Sequence, residues 1–466
     1  MADAACLTPL RRQARPIASG RPAFSITVAS ATGLPFVVHG PAGSTATLNK
    51  IRDAADAAWQ AEIVQGGWPA PPPDNNGGDN KFDIYIDPSL GEGEAFVDED
   101  GNVTSTAWND RMSFMCLPPT FADDAELKSL VSHELNHASQ YALDGIEDDA
   151  FFEQTATLVE KLVGKDVETY SSGIEDFQKN PARALDFFGD DLFQYGGALW
   201  LMFLTEALDD GSDKLAKRLW VDGKENGQTN EPDFLDVLPA ILHDKGWTTA
   251  RFFATFAIWR YFTGARDDGA HFEEGGLWGS GSLVPVGKKA WTKGAAVLDA
   301  SLSPLGIALF ELPAAGPIAW TAANADGVVA AQAIDAAGKA VGDVLIADGA
   351  SGTFAIDGKA KSVVVALTRV DETYDPDDDA WDAVKITVKL TVGETPKTGD
   401  VDVDGDGDGD GDGEATATPA PVKPAVAEPT ATSTTKNGCN TNGTALAWPF
   451  VILVALRLRR TRTERS

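Results

Sequence analysis

The string Ser132-His133-Glu134-Leu135-Asn136-His137 constrains this chain more than any other stretch. Histidines four residues apart lie one above the other when the segment is helical. An HExxH string so placed offers two imidazoles to one Zn²⁺, and the glutamate beside the first histidine can hold and deprotonate a water that the metal activates. Only five histidines occur in 466 residues, so an accidental pairing is a weak explanation. The flanks predict the helix. Asp123-Asp124 supplies cap candidates and first-turn negative charge, and Leu127, Leu130, Val131, Leu135 and Ala138 recur at helical spacing. No proline or glycine intervenes before Gly145. The bland readings are a surface helix with two unrelated histidines and a zinc site without turnover. The second has no need of Glu134.

A catalytic zinc keeps three protein ligands and a fourth position for water. The pattern HExxHxxGxxH would place a glycine at 140 and a histidine at 143; the chain has Gln140 and Leu143, which excludes that class. Residues 149–160 read as a second helix, capped by Asp148 or Asp149, with Phe152, Ala156, Val159 and Leu162 as its buried stripe. Glu153, flanked by aromatic residues near the start of that helix, is the expected third ligand. Glu160 lies two turns further on, roughly 10 Å away at 1.5 Å per residue, and cannot share the metal with Glu153. Glu147, Asp148 and Asp149 are rivals, though a connecting loop accounts for them. Ligating histidines also need an acceptor for the other ring nitrogen, and the sequence leaves that acceptor unassigned.

The stretch HELNHASQY followed by FFEQTAT resembles the gluzincin arrangement, with HExxH on one helix and a glutamate ligand on the next. More narrowly, it resembles a family of secreted metalloproteases of myxobacteria and related bacteria. These run HExxHaxQ, a short acidic loop, then W/F-x-E-x-x-A-T. The stretch from Trp68 to Asp74, the strand-like Lys81 to Ile86 and the downstream Tyr195-Gly196-Gly197-Ala198-Leu199-Trp200 fit that family too. The resemblance covers about residues 25–390 and is specific only near 130–160. It implies a zinc metallopeptidase that hydrolyses peptide bonds, with His133, His137 and Glu153 on the metal and Glu134 as general base. Two departures stand out. Glu153 follows His137 by 16 residues, fewer than in thermolysin-like peptidases, and Thr157 stands where those carry a second-shell aspartate.

Peptide hydrolysis also needs a donor for the oxyanion. Tyr195, on an apolar helical stretch, is the candidate carried forward; a core tyrosine is its bland reading. His243 and His271 are rivals, the first at a helix end, the second read as solvated in a Gly- and acid-rich loop. His39, in a strand-like stretch, is given no role. The strand-like 112–117 just precedes the HExxH helix. The resemblance implies that it forms an edge that pairs with extended substrate; a core strand is the competing reading.

A net charge of −32 argues against nucleic acid as a partner and suits a secreted protein. The three cysteines are too few for a disulfide scaffold, and Cys6 with Cys116 is one pairing they allow. Arg11-Arg12 is followed by no apolar run of signal-peptide length. From 399 to 414 Asp and Gly dominate, then Pro, Ala and Thr to about 435. No start places Glu414 at position 12 of an EF-hand loop, so the run offers at most weak, nonspecific Ca²⁺ binding and reads as an acidic spacer. Gly438-Cys439, an apolar run over 445–456 and an arginine cluster resemble the myxobacterial C-terminal sorting tail. That tail implies export, contact with sorting and processing machinery, membrane contact through the tail alone, and display at the cell surface.

The expected architecture is α+β in five parts: an undefined segment over 1–22, a zincin-like metallopeptidase domain over 23–280, a β-sandwich over 281–393, a linker over 394–437 and the tail over 438–466. Helices are predicted over 47–63, at the HExxH and Glu153 segments, and over 193–208, 215–221, 234–242 and 249–262. Beyond 281, short strand-like pieces recur with turn signals every 8 to 12 residues. Two alternatives to a peptidase remain: a surface-displayed binding or adhesion module with a non-turnover zinc site, and zinc hydrolysis of a non-peptide amide or ester.

Overall fold

The computed structural model describes residues 5–6 and 21–393, apart from 74–75, 92–93, 104, 190, 225–230, 323–326, 348, 372 and 379. The Asp/Gly spacer and the apolar, arginine-ended tail lie outside the described residues. Among the described residues no helix is long and apolar enough to cross a membrane.

The fold is mixed α+β. Strands β1 (Ala5–Cys6), β2 (Ile26–Ala29), β3 (Phe36–Gly40), β4 (Phe82–Ile86), β5 (Glu94–Asn102) and β6 (Arg111–Leu117) form one sheet, ordered β1-β5-β6-β4-β3-β2. Its faces alternate with the strand period of two. Phe82, Ile84, Ile86, Met115 and Leu117 face a core shared with helices α1 (Thr45–Trp59) and α2 (Asp124–Tyr141). Tyr85, Phe114 and Cys116 face the other way, with Phe24 packed on them and the Arg21 guanidinium 4.9 Å above Phe114. Cys116 is buried; the side chain of Cys6 lies outside the described residues. Strand β6 pairs with β4 on one side and β5 on the other. Its backbone donors and acceptors are therefore used within the sheet, which corrects the expectation of a substrate-pairing edge at 112–117 in favour of a core strand.

The helical layer continues with α3 (Asp149–Gly164), α4 (Val167–Lys179), α5 (Phe193–Gly196), α6 (Ala198–Leu208), α7 (Lys214–Gly223), α8 (Phe234–Asp244) and α9 (Thr249–Trp259). Helix α1 passes into a π-helical turn over Gln60–Gln65. Two helices differ from the sequence reading. The helix expected over 193–208 is divided at Gly197 into α5 and α6, although Gly197 keeps helical backbone angles; glycine is needed there because a Cβ would lie 2.5 Å from the Gln154 amide nitrogen. Helix α4 was not foreseen: Ser171, Ser172 and Gly173 weaken its propensity, and only Tyr170, Ile174 and Phe177 mark its buried stripe.

Strands β7 (Val286–Lys288), β8 (Ala295–Leu302), β9 (Ile307–Pro313), β10 (Ile318–Ala322), β11 (Gly327–Ile334), β12 (Ala340–Ala347), β13 (Ser351–Phe354), β14 (Ser362–Arg369) and β15 (Val384–Val392) make two further sheets. A four-stranded sheet, β13-β10-β15-β8, faces a five-stranded one, β12-β11-β14-β9-β7. Leu298, Trp320, Ile386 and Val388 of the first share a core with Phe310, Val329, Val363 and Val365 of the second. The five-stranded sheet is buried on its other face as well. Ile307, Leu309, Val364 and Ala366 pack on Ala254, Ala257 and Ile258 of α9. This is why β14 reads as an unbroken apolar run rather than an alternating one.

Candidate metal centre

Helix α2 begins where Asp123 accepts the amide hydrogens of Ala125 and Glu126 at 2.8 and 2.9 Å. Leu127, Leu130, Val131, Leu135 and Ala138 press its inner side into the core of the first sheet. Helix α3 begins where Asp148 accepts from the Phe151 amide at 2.8 Å. Phe151 stacks on Phe234 at 4.2 Å and on Trp220 at 5.0 Å, which fixes the rotation of α3 about its axis. The facing sides of these two packed helices carry His133, His137 and Glu153.

These three residues are buried, and one ligand atom from each lies within 4.8 Å of the others. His133 Nε2 is 3.0 Å from Glu153 Oε2, and His137 Nε2 is 3.4 Å from Glu153 Oε1. The rings of His133 and His137 sit edge to face at 4.8 Å. Apart from this approach of His137 Nε2, Glu153 Oε1 is buried and meets no hydrogen-bond donor. Two imidazoles and a carboxylate converging on one point form a set that can hold a metal ion.

The outer nitrogens are held as a ligand set requires. His137 Nδ1–H donates to Gln140 Oε1 at 2.7 Å. Gln140 is fixed in turn, its Nε2 donating to Asn136 Oδ1 at 3.1 Å and to the Phe152 carbonyl at 2.9 Å. His133 Nδ1 faces Glu160 Oε2 at 3.2 Å, and Ser129 donates to the other Glu160 oxygen. Both rings therefore turn Nε2 to the centre. These two acceptors are what sequence reasoning left unassigned. Glu160 is not part of the converging group, as its helical distance demands, yet it holds the back of the candidate ligand His133. The signal was there: seven residues from Glu153 is two turns, hence the same face of α3. Gln140, which excluded one ligand pattern, serves His137.

Electrostatics follow from this packing. Burial disfavours the charged Glu153 carboxyl, but His137 and His133 outweigh it and bring it down to about 2. Burial likewise opposes charge on His133, yet its contacts with Glu153 and Glu160 hold it well above the usual histidine range.

The remaining expected residues divide cleanly. Glu134 is fully buried on α2 beside His133. Tyr195, on α5, is brought to the centre, its ring 6.0 Å from that of His133. The approach depends on glycine: a Cβ on Gly196 would lie 1.9 Å from the Gly173 carbonyl oxygen of α4. Glu147 and Asp148 act locally, Glu147 accepting from the Asp148 amide at 2.9 Å. His243 is exposed near the end of α8. His271 corrects its solvated reading: its side chain is 7% exposed, stacked 3.9 Å from Phe262 and 2.7 Å from Asp268 Oδ1. His39, given no role, is buried 2.7 Å from Asp83.

No protein-family model matches the chain, and no curated protein sequence matches it. Among solved structures, it is similar to Aeromonas hydrophila PliG, a periplasmic lysozyme inhibitor of g-type lysozyme, at 11% identity over 23% of this chain and 97% of that one, with a TM-score of 0.18. The pre-peptidase C-terminal domain of a Bacillus anthracis collagenase matches at 10% identity over 23% of this chain and 93% of that one, with a TM-score of 0.17. Legionella pneumophila aminopeptidase A in complex with aspartic acid matches at 11% identity over 71% of this chain and 35% of that one, with a TM-score of 0.36. The chain thus spans about a third of that aminopeptidase's length. Likenesses this distant carry no weight for function.

Proposed function

We propose that the chain is a zinc metallopeptidase of gluzincin type, its first sheet and helical layer forming a zincin-like domain. One observation carries the reading: His133, His137 and Glu153 converge in burial, with Glu160 and Gln140 turning both Nε2 atoms inward. Two imidazoles and one carboxylate are a donor set that suits Zn²⁺ and leaves a fourth position open. Bound zinc supplies Lewis acidity, polarising a carbonyl and making water nucleophilic near neutral pH. Glu134, next to His133 and out of bulk water, takes the proton of the attacking water and delivers it to the departing amine. Tyr195 donates to the oxyanion that develops on the carbonyl. The substrate is a protein or peptide. The resemblance of the tail supports export and display at the cell surface, with membrane contact confined to that tail.

The test is a screen of quenched-fluorescent peptides with the full chain. Cleavage should vanish on chelation and return with about one equivalent of Zn²⁺. Cleavage indifferent to chelator would remove the metal from the reaction.

A further inference from the structure

A cavity of about 110 Å³ opens from His133 between α2, α3 and α4. Its lining is acidic: Glu126, Glu160, Asp166 and Glu168 contribute to it, as does the cap Asp123, while no lysine or arginine does. Glu160 is committed to His133 and Ser129. Glu126, Asp166 and Glu168 form no ion pair with a basic side chain among the described residues. The two helix N-termini near the cavity are closed by their own caps, Asp123 and Asp166, so they offer little to an anion. A second observation is independent of charge. Thr157, one turn past Glu153, also lines the cavity; it is 1% exposed and its hydroxyl has no hydrogen-bond partner. A buried hydroxyl is rarely left without a partner, and the cavity is where one can sit.

The geometry points to a specificity subsite beside the metal centre that takes a cationic nitrogen of the substrate, a lysine or arginine side chain next to the scissile bond. The inference rests on the peptidase reading above. The carboxylates attract the cation, the Thr157 hydroxyl accepts a hydrogen bond from it, and Leu130, Tyr170 and Tyr195 flank its aliphatic stem. The cavity falls below the roughly 300 Å³ at which drug-sized ligand sites begin, a scale that suits one side chain. An acidic side chain there would meet the like charge of Glu126, Asp166 and Glu168.

The experiment uses the full chain and N-acetylated quenched peptides that differ at one residue beside the scissile bond: Lys, Arg, Gln or Glu. A further Gln peptide carries a free N-terminus. We expect kcat/KM to fall in the order Lys and Arg, then Gln, then Glu. The Glu126→Gln/Glu168→Gln variant should cut the Lys-to-Gln ratio on the order of tenfold and leave the Gln peptide within about twofold. Thr157→Val, which keeps the shape, should lower the same ratio by a few fold. If the free-amine Gln peptide instead shows the charge-dependent gain, the cationic subsite stands and its occupant is the substrate's N-terminus. A ratio near one, or one that the double variant leaves unchanged, would overturn the inference while cleavage itself upholds the peptidase reading. If no peptide is cleaved, the peptidase reading falls, and fluorescence anisotropy with the Lys and Glu peptides decides the subsite. Lysine-selective binding lost in the double variant keeps it; unselective binding removes it.

Discussion

Glu134→Gln is expected to leave the metal in place and lower kcat on the best peptide by about 10²- to 10⁴-fold, the range that general base catalysis contributes. The residue is fully buried beside His133 and is not one of the three converging donors. Glutamine keeps the volume and loses the basicity, so folding and ligation should be undisturbed while proton transfer stops. A drop in kcat with little change in KM marks an interaction made in the transition state alone. In free energy this is about 3 to 5 kcal/mol of barrier. Stopped turnover with undiminished metal content would place Glu134 in the reaction. Full turnover in the variant would move the base elsewhere, and loss of metal would make Glu134 a structural support of the site.

The second large effect falls on Glu160. Glu160→Gln is expected to weaken zinc binding by about 10- to 100-fold, as loss of a partner behind a ligating histidine does. The pH dependence separates this role from a general loss of structure. In the metal-free parent, His133 sits well above its usual range because its carboxylate contacts outweigh burial. Below that raised value a proton competes with the metal, so parent affinity should rise about tenfold per pH unit until the pH passes it. Removing the Glu160 charge takes away one raising influence, and the His133 proton leaves at lower pH in the variant. The deficit of Glu160→Gln should therefore be largest at high pH and shrink on acidification. A deficit equal at every pH, measured by competition with a chelator of known affinity, would mean that Glu160 merely fills space.

How legible the site was depends on how local each interaction is. The caps Asp123 and Asp148 and the apolar spacing of α2 and α3 are local signals, and both helices lie close to where these signals put them. That Glu153 would meet the two histidines was readable because an HExxH helix that holds a metal calls for a further ligand from a neighbouring apolar helix. The partners of the ring nitrogens were not, since whether Glu160 meets His133 or solvent depends on the depth at which α3 packs on α2. Strands β8 to β15 follow the turn signals closely. The layer of α9 against their five-stranded sheet is a long-range contact that no window of sequence carries. Helix α4 was hidden by its serines and glycine, and its Gly173 is there because α5 approaches to bring Tyr195 in. The central place of β6 is likewise a matter of sheet order, which residue pattern does not encode. His271 looked solvated because its neighbours are polar, whereas its ring is held by Phe262, distant in the loop.

The measurement that bears most directly on this account is metal content, by inductively coupled plasma mass spectrometry, of the purified full chain beside its Glu153→Ala variant. About one zinc per chain in the parent and little in the variant is the expected result, since a two-histidine remnant lacks the third ligand of such sites. A parent without zinc, or a variant that keeps it, would contradict the centre built on His133, His137 and Glu153.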